Sequence, residues 1–419
     1  MSMGAFILNR LKGLRINRFY AIQAIVFISA FALGYFVHDM INRSEKKENL
    51  DELEIIEEVT DYKMAEGVYS GGLSKGKRHG WGKITTQRGN VYEGEWSYNQ
   101  LSYGTMHCWD DGLKKFTRVW EGTFNKNLRP HGFGKMDYMD SMYIGTYENS
   151  YRNGFGRMFY NDGSQLFGIW EKGVLTDNRR DNHVEDCVYG IDISHYQNEA
   201  GGIEWDNLAL YSDTNGVVHS GVPAVKEFYQ PVDFVFIQAT NCLKQDRFYY
   251  DNMMAARRHY IKVGSYHILR LDCSITEQID AFLDYMKRDE DDLPPVLDLE
   301  SQILLKNKAT LSLSDDSMKN AILQWLHVVE KKTSVTPIIY SNQHFAKDHI
   351  IKDRRFDKYP LWIARYSKTK VLPDGNIHWT FWQFASEWTK AKANGVKGFI
   401  DISKFNGTYK EFTELYGKK

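Results

Sequence analysis

The chain has 419 residues, of which 42% are hydrophobic and 26% charged, and its 53 basic and 54 acidic residues leave a net charge of −1. This length corresponds to two or three domains at roughly 150 residues each. The balanced charge excludes a general nucleic-acid binder, which needs a basic surplus to meet phosphates, and the ordinary hydrophobic content excludes a mostly disordered chain. The four cysteines form no CxxC or Cys/His cluster that would predict a structural zinc site. We expect no other metal and no nucleotide cofactor.

The N-terminus predicts a membrane anchor. Residues 19–37 contain no charged side chain, and at about 1.5 Å per residue such a run spans about 30 Å, enough for one transmembrane helix. Four basic residues within 1–18 place that end in the cytoplasm and the rest of the chain in the periplasm or outside the cell. The alternative is a cleaved signal peptide and hence a secreted protein, because Ala30 and Ala32 have the spacing of small residues at a cleavage site.

Residues 38–66 are predicted to be a charged stalk or linker. Leu50, Leu53, Ile56 and Val59 recur every three residues, which predicts a short amphipathic helix within 44–63. Such a segment would act as a solvated spacer.

An internal repeat occupies residues 67–175. Its five units begin 23, 28, 23 and 23 residues apart, at Tyr69, Tyr92, Trp120, Tyr143 and Leu166. Aromatic and polar residues alternate within each unit around glycine-rich turns, which predicts an all-β array of hairpins. The units resemble MORN repeats. The resemblance implies a scaffold that contacts a protein or lipid partner, although a rigid spacer without a ligand is equally compatible with it.

After a predicted linker at 176–188, eight apolar runs are typical of strands buried on both faces. They lie at 189–194, 233–240, 263–269, 294–300, 336–341, 360–366, 378–384 and 398–403. Helical patterns separate only the earlier runs. The sequence therefore predicts an α/β domain over 189–419, an incomplete TIM-like barrel with chemistry at the carboxyl ends of its strands.

Acidic residues collect at those ends. Asp298 and Glu300 are two residues apart on one predicted strand and should face the same way. Two neighbouring carboxyls cannot both ionise cheaply, so the pKa of one of them should rise. Asp192 and Asp401 lie on the first and last predicted strands and extend the acidic group.

These residues stand in motifs that resemble glycoside hydrolase family 25, the Chalaropsis-type lysozymes or N-acetylmuramidases. The motifs are GIDISHYQ (190–197), IEW (203–205), GSYH (264–267), LDLE (297–300), IYS (339–341), LWIARY (361–366), WQ (382–383) and ID (400–401). The resemblance implies a (β/α)5β3 barrel that binds peptidoglycan strands. It also implies cleavage of the β-1,4 bond from N-acetylmuramic acid to N-acetylglucosamine.

The resemblance also assigns residue roles. Glu300 would be the general acid, Asp298 would orient the substrate acetamido group, and Asp192 and Asp401 would complete the acidic cluster. The candidate substrate-binding residues are Tyr266, Tyr366, Trp362, Trp382 and Gln383.

The mechanism stays open between assistance by the 2-acetamido group, which we favour, and inversion by an activated water. Two other functions are weighed against a membrane-anchored muramidase. One is a barrel that binds peptidoglycan without cutting it and works through its repeats. The other is a chitinase-like hydrolase, which should show a longer DxxDxDxE motif.

The sequence departs from the family pattern after the second run. Gln238 and Asn241 replace a common lysine and glutamate. Cys242 and Cys273 follow neighbouring predicted strands, so in an exported domain they form either a disulfide or two free thiols. The segment 207–231 is longer than is usual in the family, and we expect it to form a lid over the cleft or a wall of a substrate subsite.

Overall fold

The computed structural model describes residues 56–176, 187–221, 228–300, 304, 314–367 and 372–417. Ile56–Lys419 form one compact unit. The predicted cytoplasmic segment 1–18, the predicted membrane segment 19–37 and most of the predicted linker 176–188 lie outside the described residues. Among the residues that are described, no helix is long and apolar enough to cross a membrane.

The repeat region forms one antiparallel sheet in which every strand pairs with the next along the chain. Its strands are β1 (Glu57–Met64), β2 (Gly67–Ser74), β3 (Lys77–Thr86), β4 (Val91–Ser97), β5 (Gln100–Asp110), β6 (Lys115–Phe124), β7 (Pro130–Tyr138), β8 (Ser141–Glu148), β9 (Tyr151–Tyr160), β10 (Gln165–Glu171) and β11 (Val174–Leu175). The predicted hairpin array is therefore present as a β-sheet.

A row of glycines in cross-strand register runs through β2 to β10. The row consists of Gly71, Gly82, Gly94, Gly104, Gly122, Gly134, Gly145, Gly156 and Gly168. Aromatic rings lie across it: a Cβ atom at Gly82 would overlap the Tyr69 ring, and one at Gly156 would overlap the Tyr143 ring. The recurring glycines are therefore needed for the close approach of fully buried aromatic side chains.

The helix predicted within 44–63 is wrong over its C-terminal part. Glu57–Met64 forms the edge strand β1, with a bulge between Val59 and Tyr62. Backbone pairing with β2 outweighs the three-residue spacing of the apolar side chains, because β2 offers a long open edge.

Eight strands of the C-terminal region close into a ring, because β12 pairs with both β15 and β23. They are β12 (Tyr189–Ile193), β15 (Phe234–Asn241), β17 (Lys262–Ile268), β18 (Val296–Leu299), β19 (Ile338–Asn342), β20 (Leu361–Ala364), β21 (Phe381–Ala385) and β23 (Asp401–Phe405). β12 to β21 run parallel in the ring, and β23 runs antiparallel to both neighbours. Each of the eight apolar runs overlaps one of these strands.

The helices lie between the earlier strands of the ring. They are α1 (His195–Glu199), α2 (Tyr249–Arg258), α3 (Ile275–Tyr285) and α4 (Asp315–Thr333), followed by short helical segments at 343–350 and 354–356 and by the C-terminal α5 (Tyr409–Tyr416). Alternate strand residues pack outward against these helices, and the others fill the ring with aromatic and aliphatic side chains. This alternation decides which side chains reach the cleft.

Shorter strands lie outside the ring. They are β13 (Ala209–Ser212), β14 (Phe228–Gln230), β16 (Lys244–Gln245) and β22 (Ala393–Asn394). The first two belong to the segment for which a lid or subsite wall was predicted, and that prediction is wrong for its described part. Ala209 clusters with Phe155 and Phe167 of the repeat sheet, and the Tyr229 ring centroid lies 4.9 Å from that of Phe155, because this apolar side is covered by the repeats.

The repeat sheet packs on the amino ends of the ring strands. Arg157 Nη1 of β9 donates to Asp233 Oδ1 at 2.5 Å, and both side chains are buried. Asp233 precedes β15, and its other carboxyl oxygen accepts from the backbone N–H of Tyr189, the first residue of β12. The carboxyl ends of the parallel strands, where chemistry is expected, therefore lie on the opposite side of the ring.

Candidate active site

Four carboxyl groups come from three strands at the carboxyl edge of the ring. Asp192 lies near the end of β12, Asp298 lies in β18, and Glu300 follows β18 directly. Asp401 opens β23, and because β23 is antiparallel its first residue lies directly opposite Asp192. Strand alternation turns these side chains into the ring, as the sequence predicted for Asp298 and Glu300.

Burial and mutual repulsion hold protons on this cluster. The pKa of Asp298 is raised well above its ordinary value by burial and then by the Glu300 and Asp192 charges. Burial and Asp401 likewise raise the pKa of Asp192. The pKa of Asp401 rises to about 7, mainly because of burial and then because of Glu300. The pKa rise expected for one member of the Asp298–Glu300 pair is therefore present at Asp298.

Asp298 and Glu300 differ in accessibility. Asp298 is 5% exposed, and its Oδ1 has no hydrogen-bond partner among the described residues. Glu300 is partly exposed at the mouth of the ring. Glu300 is therefore placed to touch a bound molecule, and Asp298 presents a buried oxygen that lacks a donor.

Gln383 of β21 connects the acids to two tyrosines. Its Nε2 donates to Asp192 Oδ1 at 2.8 Å and to Asp401 Oδ2 at 3.4 Å. Its Oε1 accepts from the hydroxyls of Tyr340 at 2.7 Å and Tyr366 at 2.5 Å. Gln383 was predicted to bind the substrate. Because it is only 1% exposed, its hydrogen bonds go to the carboxyls and the tyrosine hydroxyls instead.

The predicted tyrosines are at the site. Tyr266 and Tyr366 are partly exposed. The pKa of Tyr266 is raised by burial and then by Asp192 and Asp298, and that of Tyr366 is raised by burial and by Asp401. Both hydroxyls therefore stay protonated and can donate hydrogen bonds beside the acids.

The two predicted tryptophans are core residues, which corrects their assignment as substrate-binding residues. Trp362 is 2% exposed, stacks on Phe236 with centroids 4.4 Å apart, and donates its Nε1 hydrogen to Ser403. Trp382 is 1% exposed and belongs to the outer core. Trp382 precedes the inward-facing Gln383, so strand alternation forces it outward.

Sequence reasoning missed Tyr340 and the pairing of His195 with Asp246. Tyr340 stands within the IYS motif, and its inward parity on β19 was a usable signal. His195 Nδ1 lies 2.8 Å from Asp246 Oδ2, and the backbone N–H of His195 donates to the same oxygen. Nothing in the sequence pointed to Asp246, since it lies 51 residues from His195 in the chain, directly after the short strand at Lys244–Gln245.

Cys242 and Cys273 form a disulfide, with their Cα atoms 6.4 Å apart, which confirms the bonded one of the two predicted states. It joins the segments that follow β15 and β17. Within the described residues, no three His, Cys, Asp or Glu side chains are arranged to hold a metal ion.

Comparison with known proteins agrees with this geometry. The family model for glycosyl hydrolases family 25 matches residues 191–393. The uncharacterized protein YegX of Escherichia coli O6:H1 is 30% identical over 225 residues, covering 54% of this chain and 71% of the relative. Lysozyme M1 of Streptomyces globisporus is 28% identical over 229 residues, covering 53% of this chain and 68% of that protein.

Among solved structures, a bacterial lysozyme from Streptomyces coelicolor is 27% identical with a TM-score of 0.42, covering 55% of this chain and 97% of that one. The family match includes Asp192, Asp298 and Glu300. Through this C-terminal region the chain belongs to glycosyl hydrolases family 25 and is a glycoside hydrolase.

Proposed function

We propose that the protein is a peptidoglycan N-acetylmuramidase that cleaves the β-1,4 bond between N-acetylmuramic acid and N-acetylglucosamine. The observation that carries the proposal is the cluster of Asp192, Asp298, Glu300 and Asp401 at one edge of the ring. The first three of these acids lie inside the region matched by the family. The 28% identity to a protein named a lysozyme supports the same substrate.

Glu300 is proposed as the general acid. A general acid must reach the glycosidic oxygen of the leaving sugar, and Glu300 is partly exposed whereas Asp298 is buried. The surrounding carboxyls disfavour further negative charge, which helps Glu300 keep its proton until the bond breaks.

Asp298 is proposed to position the 2-acetamido group of the sugar at the scissile bond. Its unpartnered Oδ1 would accept the acetamido N–H, because an unsatisfied buried acceptor gains most from a new donor. The acetamido oxygen would then attack the anomeric carbon as the Glu300 proton passes to the leaving oxygen. Water then displaces the acetamido oxygen from the anomeric carbon and gives its proton to the Glu300 carboxylate, so this route retains the β configuration. Direct attack by an activated water would invert it.

The other residues are proposed to support this centre. Asp192 and Asp401, held by the Gln383 amide, would turn carboxyl oxygens toward the oxocarbenium-like transition state and stabilise its positive charge. Tyr266 and Tyr366 are the proposed contacts to the sugar hydroxyls.

The N-terminal half is proposed to determine where in the cell the enzyme acts. Residues 19–37 would anchor it in the cell membrane with the catalytic domain outside, unless cleavage after Ala32 releases it. The sheet of MORN-like repeats would be a scaffold for a protein or lipid partner. Cell fractionation tests the anchor: full release into the medium would contradict it.

The activity is tested by mass spectrometry of purified peptidoglycan after incubation with a protein spanning residues 38–419, which keeps the whole compact unit. We expect muropeptides that end in reducing N-acetylmuramic acid. Glu300→Gln should yield none, and the exposed Glu414→Gln should match the parent. Intact glycan from the folded parent would contradict the proposal and favour a protein that binds without cutting. ¹H NMR of the first product anomer separates retention from inversion.

A further inference from the structure

A cavity lies beside the acidic cluster, and the proposed mechanism does not use it. Its volume is about 500 Å³, and its lining includes His195, Gln238, Asn241, Lys244, Arg247 and Arg270. The Cys242–Cys273 disulfide forms part of its wall. We call it the disulfide pocket.

The disulfide pocket opens from the same edge of the ring as the four acids. Gln238 lies near the carboxyl end of β15, next to β12, which carries Asp192. The Tyr266 hydroxyl donates to Gln238 Oε1 at 3.5 Å, so a single side chain separates the pocket from the acidic cluster. A substituent on a sugar bound at the acids therefore has a short path into this pocket.

The pocket lining suits charged groups better than a sugar ring. It holds three cationic side chains, those of Lys244, Arg247 and Arg270, together with the carboxyls of Glu199 and Asp246. His195 supplies its sole aromatic ring. A sugar site usually offers flat apolar ring faces, whereas guanidinium and ammonium groups recognise carboxylates.

Part of this charge is available to a ligand. Arg247 pairs with Glu199 at an exposed position, where ion pairs contribute little and exchange partners readily. Lys244 is exposed at the same pocket, and among the described residues it forms no salt bridge. By contrast, Asp246 is 4% exposed and is fixed by two hydrogen bonds from His195, so it shapes the wall.

The two positions at which the sequence departs from the family pattern, Gln238 and Asn241, both line this pocket. Neutral amides there replace one cation and one anion. The pocket therefore keeps its charge at the rim, on Lys244 and Arg247, and presents amide donors and acceptors inside. Such a lining matches a peptide, which offers both backbone amides and terminal or side-chain carboxylates.

We propose that the disulfide pocket binds the acidic stem peptide that N-acetylmuramic acid carries on its lactyl group, so that the enzyme prefers peptide-bearing glycan to bare glycan. The inference rests on the proposed muramidase function. It makes Lys244 and Arg247 specificity-determining residues outside the acidic cluster.

The test compares two substrates: intact peptidoglycan, and the same glycan after an amidase has removed its stem peptides. The parent protein should cleave the intact form about tenfold faster, the effect of one or two charge-assisted hydrogen bonds. Lys244→Met/Arg247→Met should bring the ratio of the two rates close to one. The matched control Lys352→Met/Arg354→Met alters exposed cations elsewhere on the barrel and should keep the parent ratio.

Binding is measured in parallel with the Glu300→Gln protein, which removes hydrolysis. Isothermal titration with a disaccharide-tripeptide and with the bare disaccharide should show about tenfold tighter binding of the former, and the pocket variant should lose that difference. Equal binding of both ligands, or a preference that survives in Lys244→Met/Arg247→Met, overturns the pocket proposal. A preserved binding preference without any glycan cleavage by the parent would instead overturn the proposed hydrolase function and leave the pocket proposal standing.

Discussion

Asp192 on β12 and Asp401 on β23 are cross-strand partners, and the Gln383 amide donates a hydrogen bond to each carboxyl. Two acids that lie over 200 residues apart in the chain thus share one donor. Their pairing depends on the closure of the ring by the antiparallel strand β23, which brings its first residue to the edge where the parallel strands end. Because burial raises the pKa of both carboxyls, protons are retained at this edge.

Asp298→Asn should separate activity from stability. The variant keeps the shape of the side chain but replaces the carboxyl that would orient the acetamido group, so kcat should fall by about 100-fold or more. The variant also removes a buried carboxyl whose pKa is raised by burial and by Glu300, so Tm at pH 7.5 should rise by about 2 °C. Scanning calorimetry and a muropeptide assay check both. A lower Tm with activity retained would contradict the assignment, and the exposed Asp316→Asn is the control.

The stability of the protein should fall as the pH rises from about 4 to about 7. The pKa of Asp401 is near 3.8 when the chain is unfolded and about 7 in the fold, so the folded state binds more protons between these values. Asp401→Asn should flatten part of this dependence, which urea unfolding at several pH values measures. The exposed Asp348→Asn should leave the slope unchanged, and an equal slope in Asp401→Asn would refute the prediction.

Gln383→Met should raise the pKa of Asp192. The Gln383 amide stabilises the Asp192 carboxylate, and methionine fills similar space without a donor. ¹³C NMR of the carboxyl carbon follows this pKa directly, and kcat should fall about tenfold or more. A positioning role requires the pKa to move. A loss of stability without that movement would indicate packing alone. Gln324→Met on the exposed side of α4 is the control.

Arg157→Met should destabilise the whole compact unit. The substitution leaves the Asp233 carboxyl buried without its partner between the repeat sheet and the barrel, which costs about 3 kcal/mol or more in the free energy of unfolding. Adding Asp233→Asn should recover part of the loss, because an amide can still accept from the Tyr189 N–H. Urea denaturation of both single variants and the double variant gives the coupling. If the effects of the two substitutions simply add, Arg157 and Asp233 do not couple the repeat sheet to the barrel.

Local patterns in the sequence were enough to predict much of the fold. The eight apolar runs each overlap a barrel strand, and the repeat spacing predicted the hairpins, because strand alternation and glycine turns are short-range signals. The same alternation predicted that Asp298 and Glu300 share a face. It also separates Trp382 from Gln383, whose adjacent positions point in opposite directions.

The tertiary structure alone decided the rest. Burial of Trp362 beneath the cleft depends on Phe236 and Ser403 from other strands, and the role of Gln383 depends on four partners spread over 192–401. Glu57–Met64 became a strand because β2 offered an open edge to it. The repeat sheet lies at the amino end of the barrel because Arg157 meets Asp233 there. Local sequence patterns determined the strands, the turns and the acidic residues. Contacts between distant segments determined which side chains face the cleft, because burial and strand register are properties of the closed ring.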